Sequence, residues 1–219
     1  MGRKFVLWSV WLGFILYVLL FAPPLQADTF QPVQTLLTGQ IPRINPVFLS
    51  LFSMIGVWLL IYSCLIFADG RMQKLPAWAF MLASVGSGTI GLIPYLALRE
   101  PNQQFSGKKY VWLEWLDSHS TGGILTVSTI VLLAIGCFFG DWSNFMHEFN
   151  TNHFIHAMSL AFCLFCLLFP FPTLLSDDMA RRGLISNSQF FWLVASIPLF
   201  GPLIYLCLRP LLLESKEDL

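Results

Sequence analysis

The chain has 219 residues, of which 56% are hydrophobic and only 11% are charged. Soluble globular domains carry about 25% charged residues, so a chain this apolar cannot cover a surface that faces water. The 12 basic and 12 acidic residues give a formal net charge of zero, which excludes the basic field that nucleic-acid binding needs. The composition predicts a polytopic all-α protein, with residues 1–219 as one integral domain in membrane lipid.

Six apolar runs without Asp, Glu, Lys or Arg follow one another along the chain. Each is long enough to cross an apolar layer of roughly 30 Å at about 1.5 Å per residue. The first run resembles a signal peptide, but its length favours a retained anchor. The pattern predicts about six transmembrane helices, over Phe5–Ala22, Val47–Ala68, Pro76–Leu98, Thr121–Gly140, Phe154–Leu175 and Phe190–Leu208.

The connection over residues 102–120 contains an aromatic segment. Trp112 and Trp115 are three residues apart, so they share one face of a helix, and Lys108 and Lys109 precede them. Aromatic residues beside lysines are typical of a helix that lies in the membrane interface. We therefore expect an interfacial helix in this segment.

Two segments in different halves of the chain share the pattern G-x-x-x-Y-L-x-L-R, Gly91–Arg99 and Gly201–Arg209. An acidic-then-basic turn and a further apolar run precede each copy. The pattern predicts an internal repeat of helix–charged turn–helix units. Its halves would be residues 1–101 and 121–210, joined by the interfacial segment 102–120.

The orientation of the repeat depends on the number of spans. With six spans, three spans lie between equivalent points of the two copies. The copies would then face opposite sides of the membrane and form an inverted repeat. A miscounted span would make the repeat parallel. With a cytoplasmic N-terminus and six spans, the basic residues tie at six against six, so the positive-inside rule does not decide. The inside would hold Arg3, Lys4, Arg71, Lys74, Arg209 and Lys216, and the outside Arg43, Arg99, Lys108, Lys109, Arg181 and Arg182.

Compact charged turns follow the second and fifth runs. Solvated turns whose basic groups meet phosphate headgroups are one interpretation, and a docking surface for a neighbouring subunit is the other. The candidate residues are Asp69, Arg71 and Lys74 in the first turn and Asp177, Asp178, Arg181 and Arg182 in the second.

A group of small residues lies in the third run, at Ser84, Ser87, Gly88 and Gly91. Small residues at helical spacing let another helix approach closely, which favours helix packing. The alternative is an unwound segment that exposes its backbone to a substrate, assisted by Pro94.

His153 and His156 are three residues apart at the start of the fifth run. Two imidazoles on one face could bind chlorophyll or haem, although interfacial histidines bonded to water or headgroups have the same pattern. We predict no metal site, because a functional site needs more ligands than this pair supplies.

Four segments carry a resemblance to a known family: Ile44–Pro46, Phe67–Trp78, Pro94–Pro101 and Asp177–Gly183. With them the chain resembles an uncharacterised family of multi-span membrane proteins of cyanobacteria and plant chloroplasts. The resemblance implies a thylakoid or plasma membrane of a cyanobacterium, or a chloroplast membrane. It implies no catalytic residues.

The span interiors contain no charged residue and no nucleophile–base pair, so we expect no enzyme. The first hypothesis is an accessory protein that assists assembly or maintenance of photosynthetic membrane complexes. The second is a small inverted-repeat carrier or channel for a neutral or lipidic solute. The third is a pigment- or haem-binding protein that uses the two histidines.

Overall fold

The computed structural model describes residues 2–39, 44–106, 108–171, 173–184 and 188–213. Within these ranges the regular structure is entirely helical. The helices are α1 (Gly2–Leu20), α2 (Gln31–Leu37), α3 (Pro46–Gly70), α4 (Ala77–Ser87), α5 (Thr89–Leu98), α6 (Val111–Asp117), α7 (His119–Phe139), α8 (Trp142–Thr151), α9 (His153–Leu168), α10 (Leu174–Arg181), α11 (Ser188–Ser196) and α12 (Phe200–Leu208).

Three helices are long and apolar enough to cross a membrane, namely α1, α3 and α7. The pair α8 and α9 meets the same criterion together, with a bend of 103° between them, and is a fourth candidate span. The chain is therefore an integral membrane protein by the length and composition of its helices. The predicted six spans are not confirmed.

The third apolar run consists of two helices that fold back on each other. At Gly88 φ is +60°, a conformation that favours glycine, and there the chain reverses between α4 and α5. The rings of Phe80 and Tyr95 then lie 5.7 Å apart across the pair. A Cβ atom at Gly91 would lie 2.6 Å from the backbone nitrogen of Ser84, so the helices could not approach this closely with a larger residue. We call α4–α5 the first hairpin.

The sixth apolar run folds in the same way, and we call α11–α12 the second hairpin. Its chain reversal includes Leu199, with φ +65°. The rings of Phe190 and Tyr205 lie 6.0 Å apart, and a Cβ atom at Gly201 would overlap the carbonyl of Val194. The four contact positions of the second hairpin are Phe190, Val194, Gly201 and Tyr205. Their counterparts in the first hairpin are Phe80, Ser84, Gly91 and Tyr95, and every pair is separated by the same number of residues as Gly91 and Gly201. The longest arm, α4, has 11 residues and extends about 16 Å, roughly half of an apolar layer.

Four aromatic side chains fill the space between α3 and α9. Trp58 and Tyr62 of α3 each contact Phe165 and Phe169, with ring centroids 5.8 to 6.3 Å apart. All four side chains are buried. Aromatic packing of this kind adds directional contacts to the burial of apolar area, so α3 and α9 are closely packed where these rings meet.

Contacts between the helices define two ends of the bundle. At one end, Arg3 of α1 donates to the carbonyl of Arg99 at 2.8 Å, and a ring nitrogen of His119 lies 2.9 Å from the carbonyl of Arg209. We call this the network end. It contains the start of α1, the end of α3, the start of α7 and the open ends of both hairpins.

The opposite end contains the end of α1, the start of α3, α8 and the start of α9. The side chain of Asn45 donates to the carbonyl of Asp141 at 2.8 Å and also accepts from the backbone of Val47. Asn152 caps α9 by accepting from the backbone of Phe154. Helices α3 and α9 therefore each begin at an asparagine whose side chain accepts from one or two of the N–H groups left unpaired at a helix start.

Candidate functional site: a buried ion network

Asp69 is the acceptor at the centre of the first half of the network. It lies in the last turn of α3, and the first hairpin supplies two of its donors. The hydroxyl of Tyr95 donates at 2.7 Å, and Arg99 donates through Nε at 2.8 Å and Nη2 at 2.6 Å. Tyr95 and Arg99 are four residues apart, so both reach the same carboxylate from one face.

Asp178 of α10 has the same type of partners in the second half. The hydroxyl of Tyr205 donates to it at 2.7 Å, and Arg209 donates at 3.3 Å. Arg182, one helical turn after Asp178, adds a bond of 2.8 Å through Nε. Each half thus has one carboxylate that accepts from a tyrosine and an arginine of its own hairpin.

Further ion pairs connect the two halves. Arg99 donates to Asp177 at 2.7 Å as well as to Asp69, so it joins the end of α3 to α10. Arg181 of α10 donates in turn to Asp69 and to the carbonyl of Asn102. These contacts bring both charged turns to the same end of the bundle. The inverted arrangement expected from six spans is therefore wrong, because it would place the turns on opposite faces.

Asp117 at the end of α6 extends the network to the interfacial segment. It accepts from Arg182 at 2.6 Å, from Lys109 at 3.1 Å and from the backbone of Leu212 at 2.9 Å. Arg209 donates at 2.8 Å to the carbonyl of Leu116 in the same helix. The network therefore also fixes α6 and the segment after α12.

The network is buried, with exposed fractions of 0% for Asp69, Arg99, Asp178 and Arg209. Buried charges are tolerated when they are paired and hydrogen-bonded. Burial by itself would raise the pKa of Asp178, but the guanidinium groups of Arg182 and Arg209 more than offset it and lower the pKa to about 2. Burial would likewise lower the pKa of Arg182, and Asp178 raises it above the ordinary value instead. Both groups are fully ionised at neutral pH.

The structure corrects the interpretation of the charged turns as solvated or headgroup-contacting surfaces. Asp69, Asp177, Asp178 and Arg182 are buried, and the side chain of Arg181 is buried as well. Because these side chains are buried in ion pairs with one another, they are not exposed to lipid headgroups or to a partner protein.

Only two of the predicted turn residues remain at the surface. Arg71 lies over the ring of Tyr110 at 4.9 Å and donates to the carbonyl of Lys108. Lys74 is exposed in the turn between α3 and α4. The residues that sequence reasoning missed are Tyr95, Arg99, Tyr205, Arg209 and Asp117, although the repeated Y-x-x-x-R pattern contained the signal for four of them.

The predicted packing residues act mainly inside the first hairpin. Ser84 is buried against Gly91, between α4 and α5. Gly88 forms the chain reversal, and a Cβ there would lie 3.9 Å from Phe165 of α9. Ser87 is exposed and donates within its own helix. The small residues thus let α4 and α5 approach each other closely.

The two candidate cofactor ligands both have partners within the chain. Nδ1 of His156 lies 2.9 Å from the carbonyl of Phe149, and its Nε2 lies 3.2 Å from the hydroxyl of Tyr17. A metal bound through His156 would have to displace one of these. Nδ1 of His153 lies 2.7 Å from the carbonyl of Pro23. In the ranges that the structure describes, no three His, Cys, Asp or Glu side chains are placed to hold a metal ion.

Comparison of the chain with protein families, with curated proteins and with solved structures gives no match. The candidate site is therefore defined by geometry alone. Its carboxylates are already bonded to guanidinium and phenol groups, an arrangement suited to holding helices together.

Proposed function

We propose that the chain is a non-enzymatic integral membrane accessory protein that assists assembly or maintenance of larger membrane complexes. The observation that carries this proposal is the pairing of the buried carboxylates. Asp69 and Asp178 each accept from a tyrosine and from two arginines. A general base must reach a proton of the substrate, and these oxygens are occupied by internal donors. The network instead supports a rigid body on which partner helices can pack.

We infer that the scaffold consists of two halves in a parallel repeat. This proposal is supported by contacts in the first half that recur in the second half, with nearly the same number of residues between each pair of corresponding positions. The Asp–Tyr–Arg contacts recur at almost the offset of the repeated motif, and the capping residues Asn45 and Asn152 are separated by a similar stretch of chain. Each half would consist of two membrane-crossing segments followed by one hairpin. This gives four crossings and places both hairpins at the network end.

The proposed setting is a photosynthetic membrane, namely a thylakoid or cyanobacterial plasma membrane, or a chloroplast membrane. Its support is the resemblance carried by the segments Ile44–Pro46, Phe67–Trp78, Pro94–Pro101 and Asp177–Gly183. The last three of these segments contribute residues to the ion network, whereas Ile44–Pro46 lies at the opposite end.

A solute path through the centre of the bundle receives no support from the packing. Trp58, Tyr62, Phe165 and Phe169 fill the space where a central path between α3 and α9 would run. The carrier hypothesis also relied on the inverted arrangement, which the contacts between the charged turns contradict. The accessory role is therefore preferred.

The test is purification of a tagged chain from its native membrane in mild detergent, with co-purifying subunits and the absorption spectrum recorded together. Stoichiometric subunits of a membrane complex are expected. A chain that migrates alone on native gels and crosslinks to no other protein would refute the proposal.

A matched pair of variants locates the partner surface. Gly86 is exposed on α4 with open space around it, so Gly86→Leu adds bulk outside the fold. Gly123 of α7 also has open space around it, so Gly123→Leu adds the same bulk on a different helix. Loss of the partner with Gly86→Leu, and retention with Gly123→Leu, would assign the contact to α4.

A further inference from the structure

The basic residues that the structure describes lie at one end of the bundle. Arg3 and Lys4 begin α1, Arg71 and Lys74 follow α3, and the others lie in or beside the ion network. The ten described Lys and Arg residues are Arg3, Lys4, Arg71, Lys74, Arg99, Lys108, Lys109, Arg181, Arg182 and Arg209. Arg43 and Lys216 lie outside the described residues.

The opposite end has a different charge pattern. Over the ranges that the structure describes, its charged residues are the acids Asp28, Asp141 and Glu148. These residues lie in or beside α2 and α8, which line the same cavity at this end. Among the residues that the structure describes, Lys and Arg are therefore distributed ten at the network end against none at the opposite end.

The hairpins explain why the sequence alone divides the basic residues equally between the two sides of the membrane. If Pro76–Leu98 crossed the membrane, Arg99 and the segment after it would lie on the other side from Asp69. Because α5 returns beside α4, Arg99 instead contacts Asp69 directly. The second hairpin returns Arg209 to Asp178 in the same way. Short loops rich in Lys and Arg remain on the cytoplasmic side of a membrane. The positive-inside rule therefore favours an orientation with the network end on the cytoplasmic side.

The network end also has a surface suited to an anionic lipid leaflet. The side chains of Tyr110, Trp112 and Trp115 on or beside α6 are exposed, and Trp115 is 74% exposed. Lys108 precedes them and Lys74 lies in the turn before α4, both exposed. Aromatic rings enter the headgroup region, while nearby lysines attract anionic phosphates.

We propose that the network end faces the cytoplasm, or the stroma in a chloroplast. There Lys74, Lys108 and the aromatic face of α6 form a docking surface for anionic lipid headgroups of that leaflet. This inference is independent of the accessory role, because it rests on charge placement and helix direction.

The orientation is tested by cysteine labelling in a variant whose five native cysteines are replaced by alanine. Single cysteines are placed at the exposed positions Gln104, at the network end, and Asp28, at the opposite end. In right-side-out vesicles, a membrane-impermeant maleimide should label Asp28→Cys directly and Gln104→Cys only after permeabilisation. The reverse pattern would overturn the orientation. Labelling of both from one side would overturn the placement of the two ends.

The docking surface is tested by thermal unfolding of the purified chain with added dioleoylphosphatidylglycerol or dioleoylphosphatidylcholine. The anionic lipid should raise the midpoint more than the zwitterionic one, by about 2–4 °C for each lysine that contacts a headgroup. The double variant Lys74→Ala/Lys108→Ala should lose most of this difference, whereas Asp28→Asn should keep it. Equal shifts with both lipids, or an unchanged difference in the double variant, would overturn the docking surface.

Discussion

Replacing Asp178 with asparagine removes one buried negative charge while nearly preserving the side-chain volume. In the native protein this carboxylate accepts from Tyr205 at 2.7 Å, from Arg182 at 2.8 Å and from Arg209 at 3.3 Å. All three bonds reach the same carboxylate oxygen, and the amide oxygen of asparagine can accept at most two of them and carries no charge. Arg182 and Arg209 would then be buried with less negative charge than they need.

The size of the effect follows from the burial of both partners. Removing one member of a buried, hydrogen-bonded ion pair costs about 3–5 kcal/mol, because the remaining charge is left uncompensated. For a chain of this length, 1 kcal/mol shifts the unfolding midpoint by about 2–4 °C. We expect Asp178→Asn to lower the midpoint by about 6–20 °C.

The assay is thermal unfolding of the purified chain in mild detergent, followed by tryptophan fluorescence. Asp28→Asn is the matched control, since Asp28 is exposed at the opposite end, and its effect should stay within about 0.5 kcal/mol. Adding Arg209→Gln to Asp178→Asn should recover part of the loss, because Asp178 is the carboxylate nearest to Arg209 and the second change removes one uncompensated charge. A midpoint for Asp178→Asn equal to that of the control would refute the stabilising role of the network.

Three further outcomes follow from the structure. Folding lowers the pKa of Asp178 to about 2, from about 3.9 in the unfolded chain, so ionised Asp178 contributes roughly 2–3 kcal/mol of stability above pH 4 and loses this contribution as the pH falls towards 2. The unfolding midpoints of the wild type and of Asp178→Asn should therefore converge as the solution is acidified. Midpoints that stay equally far apart at every pH would contradict this. Gly91→Ala should destabilise by about 1–3 kcal/mol because its Cβ overlaps the α4 backbone, whereas Gly86→Ala meets open space and should not, as paired thermal unfolding curves would show. The double variant His153→Ala/His156→Ala should leave the absorption spectrum of the purified chain unchanged, and loss of an absorption band would instead assign a chromophore to these residues.

The sequence indicates helices more reliably than it indicates how many cross the membrane. The first, second and fourth apolar runs overlap the long helices α1, α3 and α7. The third and sixth runs have the same composition but fold into hairpins. An apolar run can satisfy its backbone hydrogen bonds in lipid either as one long helix or as two short helices. Hydropathy therefore does not distinguish a membrane-crossing helix from a helical hairpin. The chain reversals at Gly88 and Leu199 depend on tertiary packing that composition does not encode.

The ion network was predicted only in part because its partners are distant in sequence. Asp69 and Arg181 are neighbours in space but 112 residues apart in the chain. The turns that contain them have the composition of solvated loops, which favours the exposed interpretation. The tyrosine and arginine of the repeated motif are also typical interface anchors, so their role as donors to buried carboxylates was missed.

The two hairpins have a consequence for the shape of the protein in its membrane. In the proposed arrangement of four crossings with both hairpins at the network end, the four short helices of the hairpins add to one half of the apolar layer only. The cross-section of such a bundle is wider in that half, which gives it the form of a wedge. A wedge fits best where the membrane curves with the network side on its convex face.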